Sequence, residues 1–324
     1  MESPAKISPE QKTSATQRYD TLLQHLKTYP DRRIDSILAQ MLSASCEINM
    51  PTDLAQIDRM KGWLDSFRPL SPTALTELKQ RYDVQFTYNS NAIEGNTLTQ
   101  SETELVLSKG ITIGGKTLIE HLEVIGHKEA IDYIETLAQS ETQIGEWEIR
   151  QIHSLVMRRI SPMEAGRYRQ LDVKAAGTEH VYPPHYQLSE LMAEFTQWLA
   201  ASSENLHPIE YAAEAHYRLV SIHPFRDGNG RTGRLLMNLL LLRAGFPIVV
   251  ISNQQRVAYI EALVYAQQSN SDLSLLLELV INAARASLFE TLSAIVTAAD
   301  SRGKGLPFYR EIIAFLEAEA AIEE

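Results

Sequence analysis

Residues 223–245 read HPFRDGNGRTGRLLMNLLLLRAG. From Arg231 onward the stretch has the look of a hydrophobic helix, ended by Gly245 and Pro247. A helix start is the positive end of the backbone dipole, so Arg231 and Arg234 are mildly unfavourable there unless something negative lies near them. The preceding segment, HPIEYAAEAHYRLVSI (207–222), is a helix that must stop by His223, because a residue before proline is pushed away from helical backbone angles. Pro208 suits its first turn. Two helices therefore flank a short loop that carries a histidine, an aspartate and a Gly-Asn-Gly turn.

That loop has the parts of a phosphate site. Gly228, Asn229 and Gly230 can adopt the left-handed and bridging conformations that make a backbone nest of convergent N–H groups. The helix that follows adds its own unpaired N–H groups. Arg231 and Arg234, three apart, share a face of its first turn. Asp227, beside bound phosphates, has Mg²⁺ as its natural partner. His223 supplies a base that titrates near neutrality. The spacing is not that of a Walker A loop. A plain turn with a structural histidine fits the loop's composition as well.

Helical periodicity continues outward in both directions, over 15–29, 32–46, 53–66, 73–93, 100–109, 117–139, 146–159, 187–202, 208–222, 230–244, 253–268, 271–299 and 307–322. Thr99 and Glu102 have capping-box spacing, and Gly110 follows that helix as a C-cap. Residues 1–14 read as a polar tail. Only ITIGGKT (111–117) and RYRQLDVKAAGTEHVYPPHY (167–186) read as extended, the second as a small β-hairpin flap. The fold class is all-α, a helical bundle with one small hairpin, N-terminal helices and a C-terminal helix after the linker SRGKGLP (301–307).

Composition narrows the function. The 324 residues are 44% apolar and 22% charged, as in an ordinary globular protein with a sizeable core. A formal net charge of −11 argues against general binding to nucleic acid or an anionic membrane. A single cysteine, Cys46, leaves no disulfide framework and fits a reducing compartment. The polar N-terminus has no apolar signal core, and LLMNLLLL is too short to span a bilayer, so the expected location is cytoplasmic.

The string HPFRDGNGRTGR resembles the signature of the Fic (filamentation induced by cAMP) family, H-x-F-x-(D/E)-G-N-G-R-x-x-R, at every defining position. The resemblance implies a Fic-type bundle that moves AMP from ATP to a Ser, Thr or Tyr hydroxyl of a protein, with Mg²⁺. It would make His223 the general base, Asp227 the metal ligand and Phe225 the anchor of the loop in the core. Gly228, Asn229, Gly230 and Arg231 would form an anion hole and Arg234 would hold the γ-phosphate, with Thr232 and Gly233 also in the ATP-binding set. Kinase-like relatives resemble G-N-K-R here, whereas this chain has G-N-G-R. The likeness extends over about 85–285. LDVKAAGTEHVYPPH resembles the family's flap, which positions the target side chain and would set Lys174, Ala175, Ala176 and Gly177 beside the nucleotide. NQQRVAYIEALVYAQQ resembles the following helix, whose Tyr259, Ile260 and Gln267 would approach adenine and ribose, although such a stripe also fits plain core packing.

A second stretch, YNSNAIEGN (88–96), puts Glu94 at the negative end of a helix. Glu94 and Arg234 are each at an unfavourable helix end, and each would relieve the other if they met. An ordinary surface glutamate is the other reading. Ser90-x-x-x-Glu94-Gly95 resembles the Fic inhibitory motif, (S/T)-x-x-x-E-(G/N), whose Glu pairs with the second motif Arg and obstructs seating of the γ-phosphate. On this reading the chain divides into a tail and helical region (1–70), an inhibitory-helix segment (71–109), a catalytic domain (110–299, core about 143–285) and a linker with a C-terminal helix (300–324). His121, His127, His180 and His185 lack metal-site spacing and read as polar surface or flap residues. Residues 1–70 and 300–324 carry no chemistry of their own and are left to cover the core, form a homodimer or recognise the target. The implied partners are ATP, a protein substrate and the chain itself by auto-AMPylation. Two further readings stand beside this one: removal of AMP by the same site, and a regulatory, antitoxin-like binding module.

Overall fold

The computed structural model describes residues 8–28, 34–44, 52–174, 181–296 and 303–323. Those residues form thirteen α-helices and two 3-10 turns, with no strand among them. The chain divides into two compact units, residues 81–284 and residues 1–80 with 285–324.

The second of these holds α1 (Pro9–Thr28), α2 (Ile34–Ala44), α3 (Thr52–Ser66) and α13 (Leu306–Glu323), with the start of α4 (Pro72–Ile93) and the end of α12 (Ser274–Val296). α13 packs against α1, α2 and α3. Its Phe308 and Tyr309 meet Trp63, Phe67 and Tyr19 edge to face, with ring centroids 5.6–5.7 Å apart. The polar stretch expected as a tail to residue 14 is helical from Pro9. Ala15, Tyr19 and Leu22 lie on one face and are buried, so a thin apolar stripe holds an otherwise polar helix.

The unit 81–284 contains the rest of α4, then α5 (Gln100–Lys109), α6 (Leu118–Ala138), α7 (Glu146–Met157), α8 (Leu188–Ser202), α9 (Pro208–Ile222), α10 (Asn229–Arg243), α11 (Arg256–Gln268) and the first turns of α12. Thr99 caps α5 in a reciprocal box with Glu102, and Gly110 closes it in the left-handed conformation at φ 64°. Thr117 and Glu120 repeat the box on α6. α10 is the central helix, lying against α9, α6 and α7 and buried on every side from Arg231 to Leu241. Its one interior amide, Asn238, is satisfied by Val249, whose N–H it accepts at 2.7 Å and whose carbonyl it meets at 3.0 Å. That pair fixes the return of the chain after Pro247. α6 and α7 approach closely at Gly126, where a Cβ would come within 2.9 Å of the Leu155 carbonyl.

Segment 111–117 is non-helical as expected, but it forms a turn rather than a strand. The hairpin expected within 167–186 has no strand in its described flanks, and its centre, 175–180, lies outside the described residues with His180. α12 is long and apolar enough to match a membrane span by length and composition, and 56% of that stretch is buried within the chain, as in a core helix.

Candidate active site

His223 ends α9 in the left-handed conformation, φ 51° and ψ 56°, with its N–H on Leu219. The turn that the following proline demands is thereby made by the histidine itself. Nδ1 faces the Val220 carbonyl at 3.2 Å, which assigns it the proton and leaves Nε2 as the acceptor nitrogen. The Tyr182 ring stacks on the imidazole, 4.1 Å between centroids. Burial pushes the His223 pKa down and the Arg169 charge adds to that. The Val220 hydrogen bond, Glu94 and Asp227 oppose them without reversing the direction.

The loop after it is pinned from inside. Phe225 is fully buried, and the Asn229 side chain grips it, accepting from its N–H at 2.9 Å and donating to its carbonyl at 2.8 Å. The Asn229 side chain is therefore spent on the loop, and only its backbone remains for an anion. His153 of α7 stacks on Phe225 at 3.7 Å, donates from Nε2 to the Asp227 carbonyl at 3.0 Å and accepts the Gly166 N–H on Nδ1 at 2.9 Å. Both ring nitrogens are used by a neutral imidazole, and burial above all pushes its pKa to about 4. Asp227 turns outward, its carboxylate 69% exposed, with Oδ1 accepting from the Gly228 N–H at 2.6 Å.

Arg231 and Arg234 of α10 are buried, and both meet carboxylates. Arg234 donates from Nε to Ser90 Oγ (3.0 Å), from Nη1 to Tyr259 Oη (3.2 Å), and from Nη2 to Ser90 O (2.8 Å) and Glu94 Oε1 (2.7 Å). The contact with Glu94 is through one oxygen, not a two-pronged fork. Burial raises the Glu94 pKa, but Arg234, with Arg231 and Arg256, more than reverses this and holds the carboxyl below its ordinary range. Arg256 also donates to the Ile93 carbonyl at 2.7 Å, placing a cation at the negative end of α4. Arg231 donates to Glu123 Oε1 at 3.0 Å and lies 3.5 Å from Asp227 Oδ2. The other Glu123 oxygen accepts from Asn96 at 2.8 Å, just past the Glu94–Gly95 turn.

The profile of the Fic/DOC family matches residues 143–241. Fic-1 from C. elegans is 35% identical, with a TM-score of 0.68 over 75% of this chain and 72% of that one. The chain belongs to the Fic family. A Fic domain containing signaling protein from Bacteroides thetaiotaomicron is 29% identical, with a TM-score of 0.67 over 76% of this chain and 98% of that one. The protein adenylyltransferase Fic of Nematostella vectensis is 44% identical over 67% of this chain and 50% of its own. That of Drosophila willistoni is 40% identical over 67% and 43%. The chain spans about half the length of the curated relatives it matches.

Within this Fic fold the remaining expected residues take varied places. Thr232 is fully buried, its hydroxyl without a partner. Gly233 packs on His216, whose Nδ1 a Cβ would approach to 2.6 Å. Tyr259 is buried too, and its hydroxyl bridges Arg234 to His216 Nε2 at 2.8 Å. It thus braces the arginine from behind. Ile260 is half-exposed, and Gln267 is engaged by the Tyr182 hydroxyl. Lys174 is exposed, while Ala175, Ala176 and Gly177 lie outside the described residues. His121 and His127, expected at the surface, are buried on the inner face of α6. His121 joins the Ile113 N–H to the Thr117 carbonyl, and His127 lies edge-on to Phe86. His185 is the polar partner of Asp172, 3.0 Å away. Sequence reading missed Glu123, His153, Arg169, Tyr182 and His216. Only the periodicity of α7 and α9 hinted at the two histidines, and nothing local marks the other three.

Proposed function

We propose that this Fic chain is a protein adenylyltransferase, moving AMP from ATP to the hydroxyl of a protein side chain, with Glu94 restraining it. The observation that carries the reading is one loop that presents a neutral imidazole and an exposed carboxylate beside two arginines on the first two turns of α10. His223 Nε2 takes the proton of the attacking hydroxyl, whose oxygen bonds to the α-phosphorus as the bond to the β-phosphate oxygen breaks and pyrophosphate leaves. The N-terminus of α10 and Arg231 face the phosphate charge, and Arg234 receives the γ-phosphate once Glu94 gives way. The outward Asp227 carboxylate would hold Mg²⁺, a hard cation that takes oxygen ligands. When bound, Mg²⁺ neutralises charge building on the phosphates.

One observation favours the reverse direction as a second reading. Only one Glu94 oxygen is on Arg234, so the other is free to orient a water against an AMP-modified hydroxyl. Incubating the protein with labelled ATP and Mg²⁺, and separately with its AMP-modified form, separates the two. Transfer requires label to appear on protein, and His223→Ala should reduce it by about 10²–10⁴-fold while ATP still binds. On the Glu94→Gly background, equal labelling with and without His223→Ala overturns the assignment of the base.

A further inference from the structure

Arg169 lies outside every helix, yet its side chain is only 1% exposed. Backbone carbonyls hold it almost alone. Nε donates to the His223 carbonyl at 2.9 Å, Nη1 to Leu171 at 3.1 Å and Nη2 to Pro183 at 2.5 Å, while its own N–H reaches the Pro224 carbonyl at 2.9 Å. The nearest carboxylate, Asp172, is 3.8 Å away and 67% exposed. Burying a guanidinium with so little countercharge is costly. Its geometry is what compensates: a planar fork with donors in fixed directions reaches three carbonyls spread across its width, whereas the three donors of an ammonium radiate from one atom.

The three carbonyls belong to three separate places. One is the histidine that begins the phosphate loop, and the others are Leu171, two residues beyond the arginine, and Pro183, in the segment 181–184. Tyr182, directly before Pro183, is the ring stacked on His223, and its hydroxyl meets Gln267 on α11. The segment that covers the imidazole is therefore the segment that Arg169 ties to the imidazole's own backbone. That ring covers one face of the imidazole that would take the hydroxyl's proton.

We propose that Arg169 is a positioning residue, which registers the segment 181–184, with its Tyr182 ring, over His223 and so fixes the approach of the incoming hydroxyl to the base. This rests on the reading of His223 as general base. It asks nothing of Arg169 in ATP binding, since every group assigned to the phosphates lies in Asp227–Arg234.

The test uses the Glu94→Gly protein as parent and adds Arg169→Lys, Arg169→Met or Tyr182→Leu. Three quantities are read: ATP affinity by calorimetry, kcat and KM for ATP in self-labelling, and the NMR shifts of the His223 ring protons, which a stacked aromatic ring displaces. All three variants should keep the parent's ATP affinity and KM, lose the ring-induced shift and lose kcat, by about 10²-fold for a misplacement near 1 Å. Lysine should not rescue. Parental kcat in either Arg169 variant, or an unmoved His223 resonance, overturns the proposal. So does a loss of ATP affinity in proportion to kcat, which marks a purely structural role. If Arg169→Met does not fold, Arg169→Lys and Tyr182→Leu decide by the same readouts. If the parent itself transfers nothing, the activity reading fails, and the His223 resonances alone decide whether Arg169 holds the segment in register.

Discussion

Replacing Glu94 with glycine removes one of four hydrogen bonds to Arg234 and leaves Ser90 Oγ, Ser90 O and Tyr259 Oη to hold the guanidinium where it is. The lost contact is one charge-assisted hydrogen bond, of about 1.5–3 kcal/mol where solvent is excluded. The Glu94 side chain is 37% exposed, so screening brings the net contribution to about 1–2 kcal/mol. That is about a 5–30-fold change in the fraction of molecules whose Arg234 is free for phosphate. The change is a lower bound on the gain in transfer. Glu94 Oε1 also fills the space over the first turn of α10, 2.4 Å from where a Cβ on Gly230 would sit, and would repel a triphosphate arriving there. Self-labelling with labelled ATP and Mg²⁺ should rise accordingly. Adding Arg234→Ala should abolish the rise. Without nucleotide, Glu94→Gly should lower the unfolding midpoint, and saturating ATP should restore it, by about 2.7 kcal/mol at a hundredfold excess over Kd. Glu94→Gly protein no more active than wild type would refute the restraint and leave the phosphate site standing.

Asp227→Ala should remove the Mg²⁺ dependence of ATP binding along with turnover; calorimetric titrations that are identical with and without Mg²⁺ in the wild type would sink its assignment. His216 is buried and neutral, and burial chiefly pushes its pKa down to about 3. Between that value and the ordinary histidine range the unfolded chain binds the extra proton, so its contribution is whole above about pH 6.5 and falls by about 1.4 kcal/mol per pH unit on acidification. Urea midpoints should decline from pH 7 to 5, and a flat profile there would contradict it.

The helices were legible because their ends are written locally. Thr99 with Glu102, Gly110, Pro208 and His223 before Pro224 each act within four residues, and the structure uses each as a boundary. α1 was missed at its start because its apolar stripe is three residues in a polar run, meaningful only once α13 lies against it. His121 and His127 could have been placed inside, since they fall in step with Val124, Ile131 and Ile134 along α6. The site divides along the same line. The loop from His223 to Arg234 is contiguous, so its chemistry can be read in one string. Glu123, His153 and Arg169 reach it from 54 to 108 positions away, and no local rule connects a glutamate in the second turn of α6 to an arginine at the start of α10.

The first two turns of α10 carry two buried guanidinium groups near the positive end of a helix, and each must find negative charge inside the fold whether or not a nucleotide is present. Glu94 and Glu123 supply it, from the end of α4 and from α6, and Asn96 joins the two by reaching from the turn after Glu94 to Glu123. They differ in what could replace them. Glu123 keeps both oxygens occupied inside the protein, one by each neighbour. Glu94 gives Arg234 one oxygen and remains more than a third exposed, and Arg234 has three other acceptors to hold it when that oxygen leaves. A phosphate oxygen can thus displace Glu94 without dismantling the arginine's cradle, whereas displacing Glu123 would take a partner from Arg231 and from Asn96 at once. On the proposed reading, the carboxylate that neutralises Arg234 is the same group with which an incoming γ-phosphate must compete. Restraint of the activity and stability of the nucleotide-free fold are, on this geometry, two effects of one hydrogen bond.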